Sequence, residues 1–157
     1  MIERMKVASL SLAASALVSI ALHEGFSTTA IIPVPGDVPT YGFGTTKHKD
    51  GTPVKFGEYI TPDRALVRLL EDTNKFEQAV KRCADVPMHM YEYSAYVSLT
   101  YNIGEGAFCK STLVKKLKQY DYEGACKEIL KWDKFKGNTL PGLTKRRQEE
   151  YRMCING

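Results

Sequence analysis

A chain of 157 residues with 43% hydrophobic and 25% charged residues has the size and composition of one globular domain. Its net charge of +4 is mildly basic, and no stripe of arginines interleaved with aromatic residues accompanies it, so binding to nucleic acid is not predicted. The three histidines are scattered and the four cysteines form no C-x-x-C pair, which argues against a metal site.

The chain begins with a charged stretch and a long apolar run. Met1–Lys6 carries Glu3, Arg4 and Lys6, and Val7–Leu22 then contains no charged residue. The run is shorter than the roughly 20 residues of a membrane-spanning helix and close to the apolar core of a signal peptide. We predict that it forms the first helix, because it leads into Glu24 without a linker.

Three interpretations of this run remain open. It is a signal peptide cleaved after Ala16, a helix of the core, or a weak membrane anchor that is not cleaved. In the second case Leu10, Leu17 and Ile20 face the core. We favour the third, because the many Ala and Ser residues contribute little transfer free energy and make insertion only marginally favourable.

The stretch that follows places acids and a hydroxyl close together in sequence. Glu24 ends the apolar run, Asp37 lies in a turn after Pro35-Gly36, and Thr40 opens the segment Thr40-Tyr41-Gly42-Phe43-Gly44. A carboxyl group at a helix end, facing a hairpin with a second acid and a hydroxyl, is suited to cleaving a glycosidic bond. Turn preference alone also explains the aspartate, and strand preference the threonine.

Residues 26–56 predict a small hairpin lobe, and the remainder predicts helices. Short strands are expected at 30–32, 40–43 and 54–56. Thr61-Pro62-Asp63 starts a helix over 62–82, with an N-cap hydroxyl and a proline at its first position. Residues 87–154 predict a helical lobe, with a buried aromatic helix at 88–103 and shorter helices at 112–119, 121–132 and 142–154.

The chain contains four cysteines, Cys83, Cys109, Cys126 and Cys154. An even number after an export-like start favours disulfides formed in an oxidising compartment, and four reduced cysteines in the core are the alternative. The residues themselves leave all three pairings open.

Four motifs in order resemble the phage-type lysozymes, glycoside hydrolase family 24. They are Glu24-Gly25 with Thr40–Gly44, Asn102-Ile103-Gly104, Gly106-Ala107-Phe108 with Ser111-Thr112-Leu113, and Leu140-Pro141-Gly142-Leu143 with Arg146-Arg147. The resemblance extends over residues 8–154. It implies an α+β, lysozyme-like fold in which the helix 62–82 joins the hairpin lobe to the helical lobe, with a cleft between them.

The resemblance also implies a function and its residues. We expect a monomeric muramidase that cleaves the β-1,4 bond between N-acetylmuramic acid and N-acetylglucosamine in peptidoglycan. Glu24 is the acid, Asp37 and Thr40 direct the water, and Arg146 orients Glu24. The implied disulfides are Cys83–Cys109 and Cys126–Cys154, and no metal or organic cofactor is implied. Some phage endolysins begin with a signal-arrest-release segment, which here implies transient insertion of Val7–Leu22 in the host inner membrane before release to the periplasm.

The chain departs from the family pattern around the second acid. The positions where the family places this acid hold Pro33 or Val34, Asp37 lies three residues before Thr40, and the histidine after the second glycine is Thr45. A lytic transglycosylase, which needs a single general acid, is therefore one alternative. A non-catalytic wall-binding module on the same scaffold is a more distant one.

Overall fold

The structure is a computed structural model that describes residues 2–156, which form two compact units. Unit 1 comprises residues 2–16 and 74–156, and unit 2 comprises Leu17–Thr73. Within the described range the chain contains seven α-helices and two small antiparallel sheets. The predicted α+β class is confirmed.

The apolar N-terminal run is not one helix, and the prediction of a continuous helix over Val7–Leu22 is wrong. A 3-10 helix covers Val7–Ser9, Leu10 is extended, and the first α-helix, α1, covers Ala14–Glu24. The backbone N–H of Leu12 donates to Glu77 at 2.8 Å and that of Ala13 to Ser94 at 3.1 Å, so tertiary partners replace helical ones. Among the described helices, none combines the length and apolarity needed to cross a bilayer.

Unit 1 holds the start of the chain, residues 2–13, which we call the N-terminal strap. Met5 and Met88 exchange two backbone hydrogen bonds, at 2.9 and 2.8 Å. The Arg4 guanidinium donates to both carboxylate oxygens of Glu92 and lies 3.6 Å from the centre of the Tyr122 ring. Val7 and Leu10 are buried in the same core cluster as Met88, so the strap is an integral part of this unit.

The helices of unit 1 surround a buried central helix. After α2 (Pro62–Cys83), which runs through both units, the elements are α3 (Met90–Ile103), α4 (Glu105–Cys109), α5 (Thr112–Lys118), α6 (Tyr122–Glu128), a 3-10 helix (Ile129–Lys131), the hairpin β3–β4 (Lys134–Phe135 and Asn138–Thr139) and α7 (Pro141–Asn156). Residues 92–100 of α3 are all buried, and α3 packs against α7. The α3 backbone and its aromatic side chains therefore form the centre of the unit 1 core.

Several boundaries in unit 1 differ from the sequence prediction. The predicted helix 121–132 is α6 followed by a 3-10 turn, and α4 and the β3–β4 hairpin were not predicted. Gly104 separates α3 from α4 at a φ of 90°, which is why one helix cannot continue. The two disulfides implied by the family resemblance, Cys83–Cys109 and Cys126–Cys154, are present.

Unit 2 is a small hairpin layer packed on the first turns of α2. Strands β1 (Ser27–Ile31) and β2 (Thr40–Gly42) pair antiparallel, with Ile31 opposite Thr40 and an irregular register between the paired ends. The predicted strand at 54–56 does not form within the described residues, since a turn closes there by a hydrogen bond from Glu58 N–H to the Lys55 carbonyl. The core of the unit is a five-residue cluster: Ala30, Tyr41, Val54, Ile60 and Ala65.

Candidate active site

Glu24 is the last residue of α1, and the chain turns immediately after it. Its side chain is half-buried. The next residue, Gly25, donates its N–H to the Ala21 carbonyl at 3.1 Å and has a φ of 70°. Glycine adopts this conformation without the steric cost that a β-carbon imposes, so the sequence Glu24-Gly25 ends the helix and leaves the carboxylate at its tip.

A tight hairpin brings the second half of the motif against this carboxylate. Tyr41 and Thr45 exchange backbone hydrogen bonds at 3.1 and 3.0 Å, which closes a loop of three residues. Gly44 lies in that loop with a φ of 79°, and a β-carbon placed there would be 3.1 Å from Glu24 Oε2. Glycine at this position therefore both permits the turn and leaves room for the carboxylate.

An aromatic pair fixes the hairpin loop relative to the end of α1. The rings of Phe26 and Phe43 have their centres 5.1 Å apart in a tilted arrangement. Phe26 lies two residues after Glu24, and Phe43 lies directly before Gly44. Because such pairs add packing energy beyond the buried area, this contact holds Gly44 near the acid.

Gly42 has a separate, structural role. A β-carbon at this position would lie 3.0 Å from the Ala65 side chain on α2. The glycine therefore allows β2 to pack closely on the helix.

Asp37 and Thr40 precede in the chain the hairpin loop that contains Gly44. Thr40 is the half-buried first residue of β2. Asp37 is exposed and ends a turn in which its N–H donates to the Val34 carbonyl at 3.1 Å. Pro35 and Gly36, with a φ of 85° at the glycine, are the residues that a type II turn prefers.

The Asp37 carboxylate is engaged by its own turn. The N–H of Val38 donates to Asp37 Oδ1 at 2.8 Å. This local bond fixes one oxygen, and the exposed position keeps the carboxylate hydrated.

Arg146 lies in unit 1, on α7, in a buried charged cluster with Arg147 and Glu150. Arg146 Nε lies 3.4 Å from Glu150 Oε1, and Arg147 Nε lies 2.9 Å from Glu150 Oε2. Ser98 donates to Glu150 at 2.7 Å, and Arg147 donates to the side-chain oxygen of Asn102 at 2.7 Å. Burial raises the pKa of Glu150 and lowers that of Arg147.

Sequence reasoning identified Glu24, Asp37, Thr40 and Arg146 but not the residues that support them. The Phe26–Phe43 contact and the partners of the Arg146 cluster, Ser98 and Glu150, were missed. Asn102 had been noted only as part of a motif, and its bond to Arg147 gives that motif a physical reason. No signal in one sequence predicts these long-range contacts. Residues 2–156 contain no cluster of three His, Cys, Asp or Glu side chains that could hold a metal ion.

Comparison with known proteins places the chain in a family. The model of the family "Phage lysozyme" matches residues 21–150. An endolysin of Acyrthosiphon pisum secondary endosymbiont phage 1 is 41% identical over 115 residues, which cover 71% of this chain and 75% of the relative. A SAR-endolysin of Pseudomonas phage phiKMV is 31% identical over 146 residues, covering 90% of this chain and 87% of the relative.

A solved structure supports the same assignment. The endolysin from Escherichia coli O157:H7 phage FAHEc1 superposes with a TM-score of 0.85 at 34% identity, over 94% of this chain and 95% of that one. The chain therefore belongs to the phage lysozyme family, a family of enzymes that degrade bacterial peptidoglycan.

Proposed function

We propose that this protein is a muramidase that hydrolyses the β-1,4 bond between N-acetylmuramic acid and N-acetylglucosamine, with Glu24 as the general acid. The observation that carries the proposal is the Glu24 carboxylate at the end of α1, with Gly44 of the tight hairpin directly beside it. In this mechanism Glu24 protonates the glycosidic oxygen as the bond to the sugar breaks.

Asp37 and Thr40 direct the attacking water in the proposed mechanism. The carboxylate accepts a proton from the water, the threonine hydroxyl holds it by a hydrogen bond, and attack from the opposite face of the sugar inverts the anomeric centre. Asp37→Ala should therefore lose on the order of 10²-fold in rate, whereas near-normal activity with a reducing-end product would assign the activation of water to another group.

A lytic transglycosylase is the second candidate, and one observation favours it. Asp37 is exposed, with one carboxylate oxygen bonded to its own turn. A transglycosylase uses the substrate's own hydroxyl as the nucleophile and needs no carboxylate to activate water.

Analysis of the products from purified peptidoglycan distinguishes the two reactions. We expect muropeptides with reducing ends, which borohydride converts quantitatively to alcohols before mass spectrometry. Products that resist reduction and weigh one water less are 1,6-anhydro sugars, and they would replace the hydrolase by the transglycosylase. Absence of both products from a folded enzyme would leave only the wall-binding module.

Arg146 has the role of orienting Glu24 in the proposed enzyme. A guanidinium offers two parallel donors to a carboxylate, which fixes its direction better than the point charge of a lysine. The ion pair between Arg146 and the buried Glu150, one turn later on α7, supports the proposal because it restrains the Arg146 side chain. Arg146→Lys should therefore lower kcat with little change in melting temperature, and equal losses in both would indicate a structural role only.

The N-terminal run has a second role before folding is complete, as a transient anchor in the host inner membrane. Relatives named SAR-endolysins support this, and so does the uncharged, Ala- and Ser-rich composition of Val7–Leu22. While the run is inserted, α1 cannot form as it does in the fold, so the carboxylate of Glu24 is not presented to the hairpin. Release to the periplasm then activates the enzyme.

Replacing Ser11 and Ser15 by Leu tests the anchor. Both serines are exposed in the fold, and the two leucines favour insertion by about 1 kcal/mol each. We expect the double variant to stay in the membrane fraction and to delay lysis, whereas a control with Asn at both positions does not. Release and lysis at the parental rate, or a mature protein that starts at Leu17, would exclude the anchor.

A further inference from the structure

Unit 2 contains a groove of about 410 Å³ that the proposed catalytic residues do not use. It lies between the His48–Ile60 loop and the first turns of α2. Its size falls in the range of pockets that bind small ligands. Its lining includes Tyr41, His48, Tyr59, Arg64, Val67 and Arg68.

A chain of polar contacts links the side chains at this groove. The Tyr41 hydroxyl lies 3.3 Å from His48 Nδ1, and His48 Nε2 lies 2.9 Å from Glu58 Oε2. Tyr41 itself belongs to the small core of the unit. The groove is therefore preformed, which lowers the entropic cost of binding a ligand.

One wall presents apolar surface to solvent. The Tyr59 side chain is 65% exposed and Val67 is 55% exposed, although a backbone bridge to Thr29 fixes the main chain of Tyr59. A fixed but exposed tyrosine offers a flat surface of low conformational entropy for a ligand to pack against.

The groove contains one guanidinium that is not engaged in a salt bridge with any described residue. Lys49 pairs with Glu71 at 2.8 Å, and Arg68 pairs with Asp72 at 2.9 Å. Arg64, in the first turn of α2, forms no salt bridge with a carboxylate in the described part of the chain. Its neighbour Asp63 also lines the groove, and the charge of Arg64 is among the causes that lower the pKa of that carboxyl group. Both side chains are exposed, so a ligand carboxylate can still bind Arg64 directly, in the bidentate geometry that arginine prefers.

We propose that this groove binds the acidic peptide that cross-links the glycan strands of the substrate, with Arg64 on a peptide carboxylate and Tyr59 against the adjoining aliphatic chain. The proposal rests on the proposed function, in that peptidoglycan is the substrate. It adds a contact to the peptide at a place separate from Glu24, so that the enzyme is held on cross-linked wall between cleavage events.

Calorimetric titration with a sugar-free wall tetrapeptide of Ala, Glu, diaminopimelate and Ala tests the groove. We expect saturable binding that weakens on the order of tenfold or more in Arg64→Ala, since bonds between charged partners are the strong ones. Tyr59→Ala should also weaken binding. Arg82→Ala is the matched control, because Arg82 is an exposed arginine on the same helix, outside the groove, and it should keep the parental affinity.

The outcomes separate this proposal from the proposed function. No binding of the tetrapeptide, or equal affinities in the parent and Arg64→Ala with both folded by melting temperature, would overturn the groove. Binding of peptide-free glycan that depends on Arg64 as strongly would also overturn it. If peptidoglycan is not cleaved while the tetrapeptide still binds through Arg64, the muramidase assignment fails and the groove stands.

Discussion

Each of the two units of this protein is stabilised internally in a different way. Unit 1 has a large contiguous core built around α3, two disulfides and the docked N-terminal strap. Unit 2 has a core cluster of five residues and no disulfide within Leu17–Thr73. Since stability follows buried apolar area and cross-links, most of the free energy of unfolding should reside in unit 1.

The proposed chemistry lies mainly in unit 2, which we expect to be the less stable unit. Glu24, Asp37 and Thr40 all belong to unit 2, where turns and glycines rather than a large core set the geometry. We therefore expect stability and chemistry to be separated in this protein. Substitutions in unit 2 should affect activity more than stability, and substitutions in unit 1 should affect stability more than activity.

Replacing Glu24 by Gln has the largest expected effect. The amide keeps the shape but cannot donate the proton, so cell lysis should fall by about 10²–10⁴-fold with an unchanged melting temperature. The control is Glu123→Gln, whose side chain is 77% exposed on α6. Turbidity of permeabilised cells measures the activity, and more than a tenth of it remaining would disprove the role of Glu24.

The contact between Gly44 and Glu24 gives the next largest effect. Gly44→Ala introduces a methyl group 3.1 Å from Glu24 Oε2, which should displace the carboxylate and lower kcat by on the order of 10–10²-fold. Gly51→Ala has the same backbone strain, at a φ of 87°, but meets no atom within 4 Å. If both variants lose equal activity, strain alone accounts for the loss.

The strap of unit 1 should show the reverse pattern. Arg4→Ala leaves the Glu92 carboxylate, 4% exposed, without its guanidinium partner. We expect a loss of about 1–3 kcal/mol in stability, discounted because Arg4 itself is partly exposed. The remaining folded enzyme should keep its kcat. Urea unfolding measures the difference against Lys6→Ala, and no loss would show that the strap is held by its apolar residues alone.

A smaller contribution to the stability of unit 1, from the Glu128 carboxylate, depends on pH. Burial alone would raise the pKa of Glu128, but hydrogen bonds from Lys116 and Lys131, both at 2.8 Å, outweigh it and lower the pKa. The stabilisation is therefore present above the unfolded pKa of about 4.3 and lost as the pH falls through the folded pKa.

Thermal melts of the parent and Glu128→Gln check this sign. The parent should be more stable by about 1–2 kcal/mol at pH 7, and the difference should shrink between pH 5 and pH 3. Glu123→Gln, which breaks the exposed pair with Lys127, should show a much smaller difference. A stability difference between the parent and Glu128→Gln that is independent of pH would mean that the charge of Glu128 does not contribute to stability.

The sequence predicted the long helices well because their signals are local. The Thr61-Pro62 start and the regular apolar spacing predicted 62–82, and the helix covers Pro62–Cys83. Residues 7–13 of the strap were predicted wrongly because an apolar run without charges resembles a helix. The conformation of the strap is set by distant partners, Glu77, Ser94 and Glu92, which no local pattern reveals.

The candidate site was predictable where a motif carried it. The glycines of Thr40–Gly44 were recognised, and their positive φ angles explain why glycine is present. The motif did not reveal why position 44 in particular is a glycine, which is its close approach to the Glu24 carboxylate. That reason depends on the packing of the hairpin against the end of α1, through Phe26 and Phe43.

Native-state hydrogen exchange of the intact protein tests the separation of stability from chemistry most directly. Amides of α3, such as those of Val97 and Leu99, should exchange only through global unfolding. The Tyr41 and Thr45 amides, which close the hairpin at the candidate site, should exchange through local opening at a free energy lower by a few kcal/mol. Equal protection of the hairpin and α3 would contradict the account, because unit 2 would then be as stable as unit 1.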